Sequence, residues 1–192
     1  MANITDYRTI TYFDVETTSL DPKTGEIIQI CILTEDQDGN LNEWSTKIRP
    51  RLKPGTYQKS ALKVNGFKPK EFIDAPIFED VADQIIEKLR WGPIVAHNAS
   101  FDVDFIKSNL DRYTDWKPGN RTEYSEKTYR LGYPVIDTVA LAYLLVPSER
   151  QSLMSLREHF NIETSGGHEA IKDVHDTRQV FWHCLEKCLE VR

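Results

Sequence analysis

Thr9-Ile10-Thr11-Tyr12-Phe13-Asp14-Val15 is a run of β-branched and aromatic residues with one acid near its end, and it reads as a β-strand. Glu26-Ile27-Ile28-Gln29-Ile30-Cys31-Ile32-Leu33-Thr34 reads as a second strand. The turn residues Asp38-Gly39-Asn40 lead into a third strand near 41–48, so strands two and three are predicted to form a hairpin. Between Glu79 and Leu89, apolar residues fall at Val81, Ala82, Ile85, Ile86 and Leu89, which is helical spacing. Trp91-Gly92-Pro93 stops that helix, and Ile94-Val95-Ala96 is short and apolar enough for a buried strand. A helix is predicted over 101–110, with Phe101, Phe105 and Ile106 on one face. Residues 111–133 are polar and turn-rich, and Val135-Ile136 is a short strand. Helices are predicted over 138–146, 152–160 and 169–188. A three-strand meander followed by β–α alternation gives an α/β fold class, a mixed sheet with helices on its faces.

The 192 residues suffice for one domain spanning 1–192, with an insertion at about 111–133. No apolar run approaches the ~20 residues of a membrane helix. The first residues, Met1 to Tyr7, lack the basic and apolar regions of a signal peptide. Cys31, Cys184 and Cys188 form no C-x-x-C pair, which fits free thiols in a reducing, cytoplasmic setting. The net charge of −6 is unevenly spread. Lys47, Arg49, Arg51, Lys53, Lys59, Lys63, Lys68 and Lys70 fall in one stretch with no acid among them, and the rest of the chain has a balance of −14. Such segregation gives either a surface that attracts phosphate or a solvated loop and helix face.

Chemistry is suggested first by Asp14 and Glu16. Residues two apart on a strand share a face, so two carboxylates are held side by side next to a core. That pairing is costly unless a positive charge compensates it, and magnesium, a hard cation, prefers oxygen ligands. A solvated strand end is the alternative. Asp102 stands in the first turn of a helix that follows a buried strand, where ligands collect in α/β sheets. It would equally favour the helix dipole as an ordinary acid. Asp104 would point to a different side. In His168-Glu169-Ala170-Ile171-Lys172-Asp173 the outer two residues would diverge by roughly 140° on one regular helix. Ser165-Gly166-Gly167 relieves this by placing His168 on a flexible approach and leaving Asp173 in the helix. A histidine there suits a general base, or it is a surface residue of a polar loop. His97, His159, His175 and His183 have weaker claims, and His175 is the main competitor.

Taken in order, Phe13-Asp14-Val15-Glu16-Thr17-Thr18, His97-Asn98-Ala99-Ser100-Phe101-Asp102, and His168 with Asp173 and Thr177 resemble the three exonuclease motifs of the DEDD superfamily. More narrowly, they are similar to its DnaQ-like DEDDh branch, from about Thr11 to Phe181. The resemblance implies a ribonuclease H-like five-stranded mixed β-sheet flanked by α-helices. It implies that Asp14, Glu16, Asp102 and Asp173 hold two Mg2+ ions, with Mn2+ able to substitute, and that His168 is the general base. Thr17, Thr18, Leu20, Asn98 and Phe101 would contact the terminal nucleotide. The implied activity is a 3′→5′ exonuclease that releases nucleoside 5′-monophosphates from a DNA end, single-stranded or frayed. Asp137 reads as a helix cap, and Leu153 and Leu156 as core residues.

The sequence departs from the family pattern at Ser19, where glycine is common, and at Asn65, where histidine often precedes Gly66. Two rivals remain at this level: an exoribonuclease with the same site, and a proofreading or binding module attached to a polymerase. With Arg192 directly after the last predicted helix, a stand-alone enzyme is expected, and a homodimer is compatible with it. The insertion interleaves Tyr113, Trp116, Tyr124, Tyr129 and Tyr133 with Lys117, Arg121, Lys127 and Arg130. These residues would stack bases, or fold down onto the domain or a second copy.

Overall fold

The computed structural model describes residues 9–119, 127–147, 150–163 and 169–190. Its central sheet begins with β1 (Thr9–Thr17), β2 (Ile27–Asp36) and β3 (Leu41–Lys47). The hairpin between β2 and β3 is closed by Asp36, whose carboxylate accepts from the backbone N–H groups of Asp38 and Asn40 and from the Asn40 side chain. Gly39 takes the positive φ of 80° that this turn requires. Helices α1 (Lys59–Val64) and α2 (Phe78–Leu89) follow, with a 3-10 turn at Pro69–Phe72 between them. Strand β4 (Ile94–Ala96) then leads into α3 (Ala99–Tyr113). After the short strands β5 (Lys117–Pro118) and β6 (Thr128–Tyr129), the chain forms β7 (Val135–Asp137), α4 (Thr138–Leu145), α5 (Leu153–Phe160) and α6 (Ala170–Glu190).

The five-stranded sheet has the order β3-β2-β1-β4-β7. Strands β1, β2 and β3 pair antiparallel, while β4 runs parallel to β1, and β7 parallel to β4. It is the mixed sheet flanked by helices that the sequence predicts. Side chains alternate across it. Phe13, Val15, Ile30 and Ile32 pack with Phe78, Ile85, Phe105 and Ile106 of α2 and α3. Ile10, Tyr12, Cys31 and Leu33 face the other way, against Val174 and Phe181 of α6. Helix α6 is pinned to β2 by Glu35, which accepts from Tyr12 Oη at 2.9 Å, Arg178 Nε at 3.0 Å and Trp182 Nε1 at 2.9 Å.

Two features lie outside the sequence prediction. Helix α1 buries only Ala61, so it leaves no periodic apolar trace. The parallel pair β5 and β6 is two residues per strand, too short to show alternation. Within the insertion, Tyr129 is buried, and Trp116 packs on the core and donates to Asp83. Tyr113 lies under the Arg51 guanidinium and donates to Glu26. These aromatics fold down on the chain; Arg121 and Tyr124 lie outside the described residues. Cys31, Cys184 and Cys188 are free thiols. No described helix is long and apolar enough to cross a membrane.

Candidate functional site

The alternation of β1 builds the first part of the site. Residues 10, 12, 14 and 16 share the face turned to α6. Ile10 and Tyr12 are apolar partners of that helix, and Asp14 and Glu16 continue the row beyond them as half-buried acids. Asp173, in the first turn of α6 and next to the buried Val174, meets them. One carboxylate oxygen from each of Asp14, Glu16 and Asp173 lies within 4.8 Å of the others.

Asp102 approaches from the opposite layer. It is buried in the first turn of α3, and its Oδ1 accepts from the Val15 backbone N–H at 3.0 Å. Strand β4 pairs with β1 only at Thr11 and Tyr12, so Asp102 satisfies a strand N–H beyond the end of that ladder. Asp104 is exposed, as the sequence predicts. The turn into α3 passes through Asn98 in the left-handed conformation, with φ of 64°. Asp137 holds it there: its carboxylate accepts from the backbone N–H groups of Asn98 at 3.0 Å, Ala99 at 3.1 Å and Val139 at 2.9 Å. The predicted cap of α4 therefore also fixes the start of α3. Asp137→Ala is expected to cost about 2–3 kcal/mol of stability, measured by urea unfolding. Loss of no more than a few tenths would mean that the three bonds are dispensable.

Electrostatics mark this cluster as strained without a cation. Burial pushes the Asp14 carboxyl well above the usual carboxylate range, and the charges of Asp102, Glu16 and Asp173 push it further, against the opposing pull of Arg157. Burial and the Asp173 charge push Glu16 up to about 7. Burial raises Asp102 as well, against the stabilising Val15 N–H. Crowded carboxylate oxygens whose negative charge is raised in energy by burial fit a hard divalent cation.

Arg157 on α5 was not singled out from the sequence. Its guanidinium ion-pairs with both Asp173 and Asp176 on α6. No local pattern announces this, because α5 and α6 meet only in the tertiary fold. Asp14, His97, Asn98, Gln151, Arg157 and Asp173 line a cleft of about 630 Å³. His97 Nδ1 is 2.9 Å from Thr138 Oγ1, and burial lowers its pKa. His175, the competing base, pairs with Glu43 of β3 at 2.7 Å. His168 lies outside the described residues.

The predicted substrate-contact residues divide. Thr17 and Thr18 are buried, and their hydroxyls are used within the protein: Thr17 donates to Ser19 O at 2.7 Å, and Thr18 to Thr56 O at 2.6 Å. Leu20 is 70% exposed, and Asn98 is exposed at the cleft. Phe101 is partly buried against Phe105. The two departures are both structural. Ser19 Oγ accepts from Asp21 N, and Asn65 Nδ2 donates to Thr17 O at 2.8 Å.

A family model described as an exonuclease matches residues 11–181. The chain is 29% identical over 180 residues to a PolC-type DNA polymerase III of Caldanaerobacter subterraneus subsp. tengcongensis, covering 93% of this chain but 12% of that protein. It is 27% identical over 175 residues to the DNA polymerase III subunit epsilon of Treponema pallidum, covering 89% of this chain and 74% of that one. Among solved structures it is similar to exonuclease X in complex with 5′ overhanging duplex DNA, with a TM-score of 0.64, 24% identity, and coverage of 92% and 91% of the two chains. The chain thus spans about an eighth of the PolC-type relatives that it matches.

Proposed function

This chain belongs to the exonuclease family, and from that premise we propose that it is a metal-dependent 3′→5′ exonuclease acting on DNA, single-stranded or frayed, and releasing nucleoside 5′-monophosphates. The observation that carries the reading is the convergence of Asp14, Glu16 and Asp173 within 4.8 Å, with buried Asp102 beside them. The four carboxylates would hold two divalent ions, Mg2+ or Mn2+ in its place. When bound, these would supply Lewis acidity at the scissile phosphate. The protein's own part is positional. Two carboxylates ride on the central strand β1, one on α3 and one on α6, so three layers of the fold converge on one phosphate. Water attacks phosphorus, the bond to the 3′ oxygen of the preceding nucleotide breaks, and that oxygen leaves as a hydroxyl by taking a proton from solvent. His168 would accept the proton of the attacking water, since an imidazole titrates near operating pH. The names of the relatives support DNA as substrate, and they also support a second reading, a proofreading module that serves a polymerase.

The test is degradation of 5′-labelled single-stranded DNA, duplex DNA with a frayed or mismatched end, and RNA, in Mg2+ or Mn2+. A ladder that shortens one nucleotide at a time on DNA is expected. His168→Ala should slow it about 10²–10⁴-fold while leaving Mn2+ affinity unchanged. A preference for RNA would replace the DNA reading. No degradation of any substrate with metal bound would leave a binding role in its place.

A further inference from the structure

The eight basic residues between Lys47 and Lys70 are not equivalent. Lys47 and Lys68 pair with Glu71, Arg49 donates to Ile73 O, and Arg51 pairs with Glu79 and Glu26. Lys70, on the 3-10 turn, has an exposed side chain with no ion pair or hydrogen bond among the described residues, and so do Lys53, Lys59 and Lys63. The last three lie on one strap, the loop after β3 together with α1, and this strap is fastened to the end of the catalytic strand. Gln58 N donates to Thr18 O at 2.7 Å, the Thr18 hydroxyl donates to Thr56 O, and Asn65 donates to Thr17 O. Its backbone is held from below by the buried carboxylate of Glu26, which accepts from Arg51 N, Leu52 N and the Thr56 hydroxyl.

We propose that this strap is the seat for the phosphates of the strand whose 3′ end enters the site, with Lys53, Lys59 and Lys63 as the contacts. The inference rests on the exonuclease reading above and adds to it the path of the incoming strand. Glu16 is followed directly by Thr17 and Thr18, so the strap that carries these three lysines is tied to the strand that carries two of the acids. A polyanion that must deliver one phosphate to carboxylates needs such a counterweight on an acidic protein. Exposed Tyr57, between Lys53 and Lys59, adds an aromatic face of the kind on which unpaired bases stack.

The test is the salt dependence of binding to a labelled single-stranded oligonucleotide, measured by fluorescence anisotropy in the Asp14→Asn background to prevent turnover. Each phosphate contact on a single strand contributes about 0.7 to the slope of log affinity against log salt. Lys53→Gln/Lys59→Gln/Lys63→Gln should therefore lower the slope by about 2 and weaken binding at least tenfold at low salt. A control carrying Lys88→Gln, Lys107→Gln and Lys187→Gln, on α2, α3 and α6, has the same net charge and should change the slope far less. An unchanged slope in the strap variant, an equal loss in the control, or no measurable binding by the parent would each overturn the proposal. Hydrolysis of the p-nitrophenyl ester of thymidine 5′-monophosphate by the unaltered protein reports separately on the exonuclease reading, since that substrate has no further phosphates to seat.

Discussion

Asp14→Asn should lower exonuclease turnover by roughly a thousandfold or more and raise the melting temperature of the metal-free protein. Asparagine keeps the shape of the side chain and removes its charge. It deletes an anionic ligand from the group formed with Glu16 and Asp173, so Mn2+ affinity measured by calorimetry should fall with turnover. Unchanged affinity would remove Asp14 from the ligand set. The gain in stability has the opposite origin. Asp14 is held above its ordinary pKa by burial and by three neighbouring carboxylates, so its ionised form opposes folding. A folded-state pKa raised in this way gives a contribution that is favourable at low pH and is lost as pH rises through the raised value. For Glu16 that window runs from 4.5 to about 7. Metal-free protein should accordingly melt at a higher temperature at pH 5.5 than at pH 8. Asp14→Asn should narrow that gap, because Glu16 and Asp102 then have one fewer anion to face. A gap that stays as wide would sink this account.

Arg157→Met should destabilise the metal-free protein by about 3–5 kcal/mol, the usual result of removing one partner from a buried pair. For a chain of this size that is roughly 10 °C in melting temperature. Asp173 and Asp176 are both buried, and the substitution would leave both without the guanidinium that joins them. Burial already raises the pKa of Asp176, and Arg157 opposes that rise. Added Mn2+ should restore more stability to the variant than to the parent, since a cation then replaces one that was lost. Arg157→Lys should fall between the two, because an ammonium keeps the charge but not the reach and planar N–H geometry with which Arg157 Nη2 meets both carboxylates. An unchanged melting temperature without metal would show that the Arg157 pairs contribute nothing to the fold.

Much of the site is legible in the sequence because it depends on local periodicity. Alternation in β1 dictates that Asp14 and Glu16 share the face of Tyr12 and not that of Phe13. The helical spacing after Asn98 turns Asp102 inward and Asp104 outward. What is illegible depends on contacts between distant segments. The eight basic residues look alike until Glu26, Glu71 and Glu79 take up four of them with the help of Ile73 O. Asp137 reads as the cap of α4, but its bonds to Asn98 and Ala99 exist only because β4 and β7 lie side by side. Thr17 and Thr18 read as substrate contacts from the motif, yet their hydroxyls serve the chain itself. Helix α1 leaves no trace because it buries a single alanine.

The anchoring of the strap by Glu26 has a consequence for how this scaffold can be altered. The carboxylate grips main-chain N–H groups at 51 and 52 and a hydroxyl at 56, while the exposed side chains at 53, 59 and 63 take no part in any anchor among the described residues. Shape and surface charge are thereby uncoupled in this loop. Evolution or an engineer can rewrite those three positions, towards acid, aromatic or longer cation, without reopening the fold that holds the carboxylates, which makes the strap an exchangeable cassette on a fixed reactive centre.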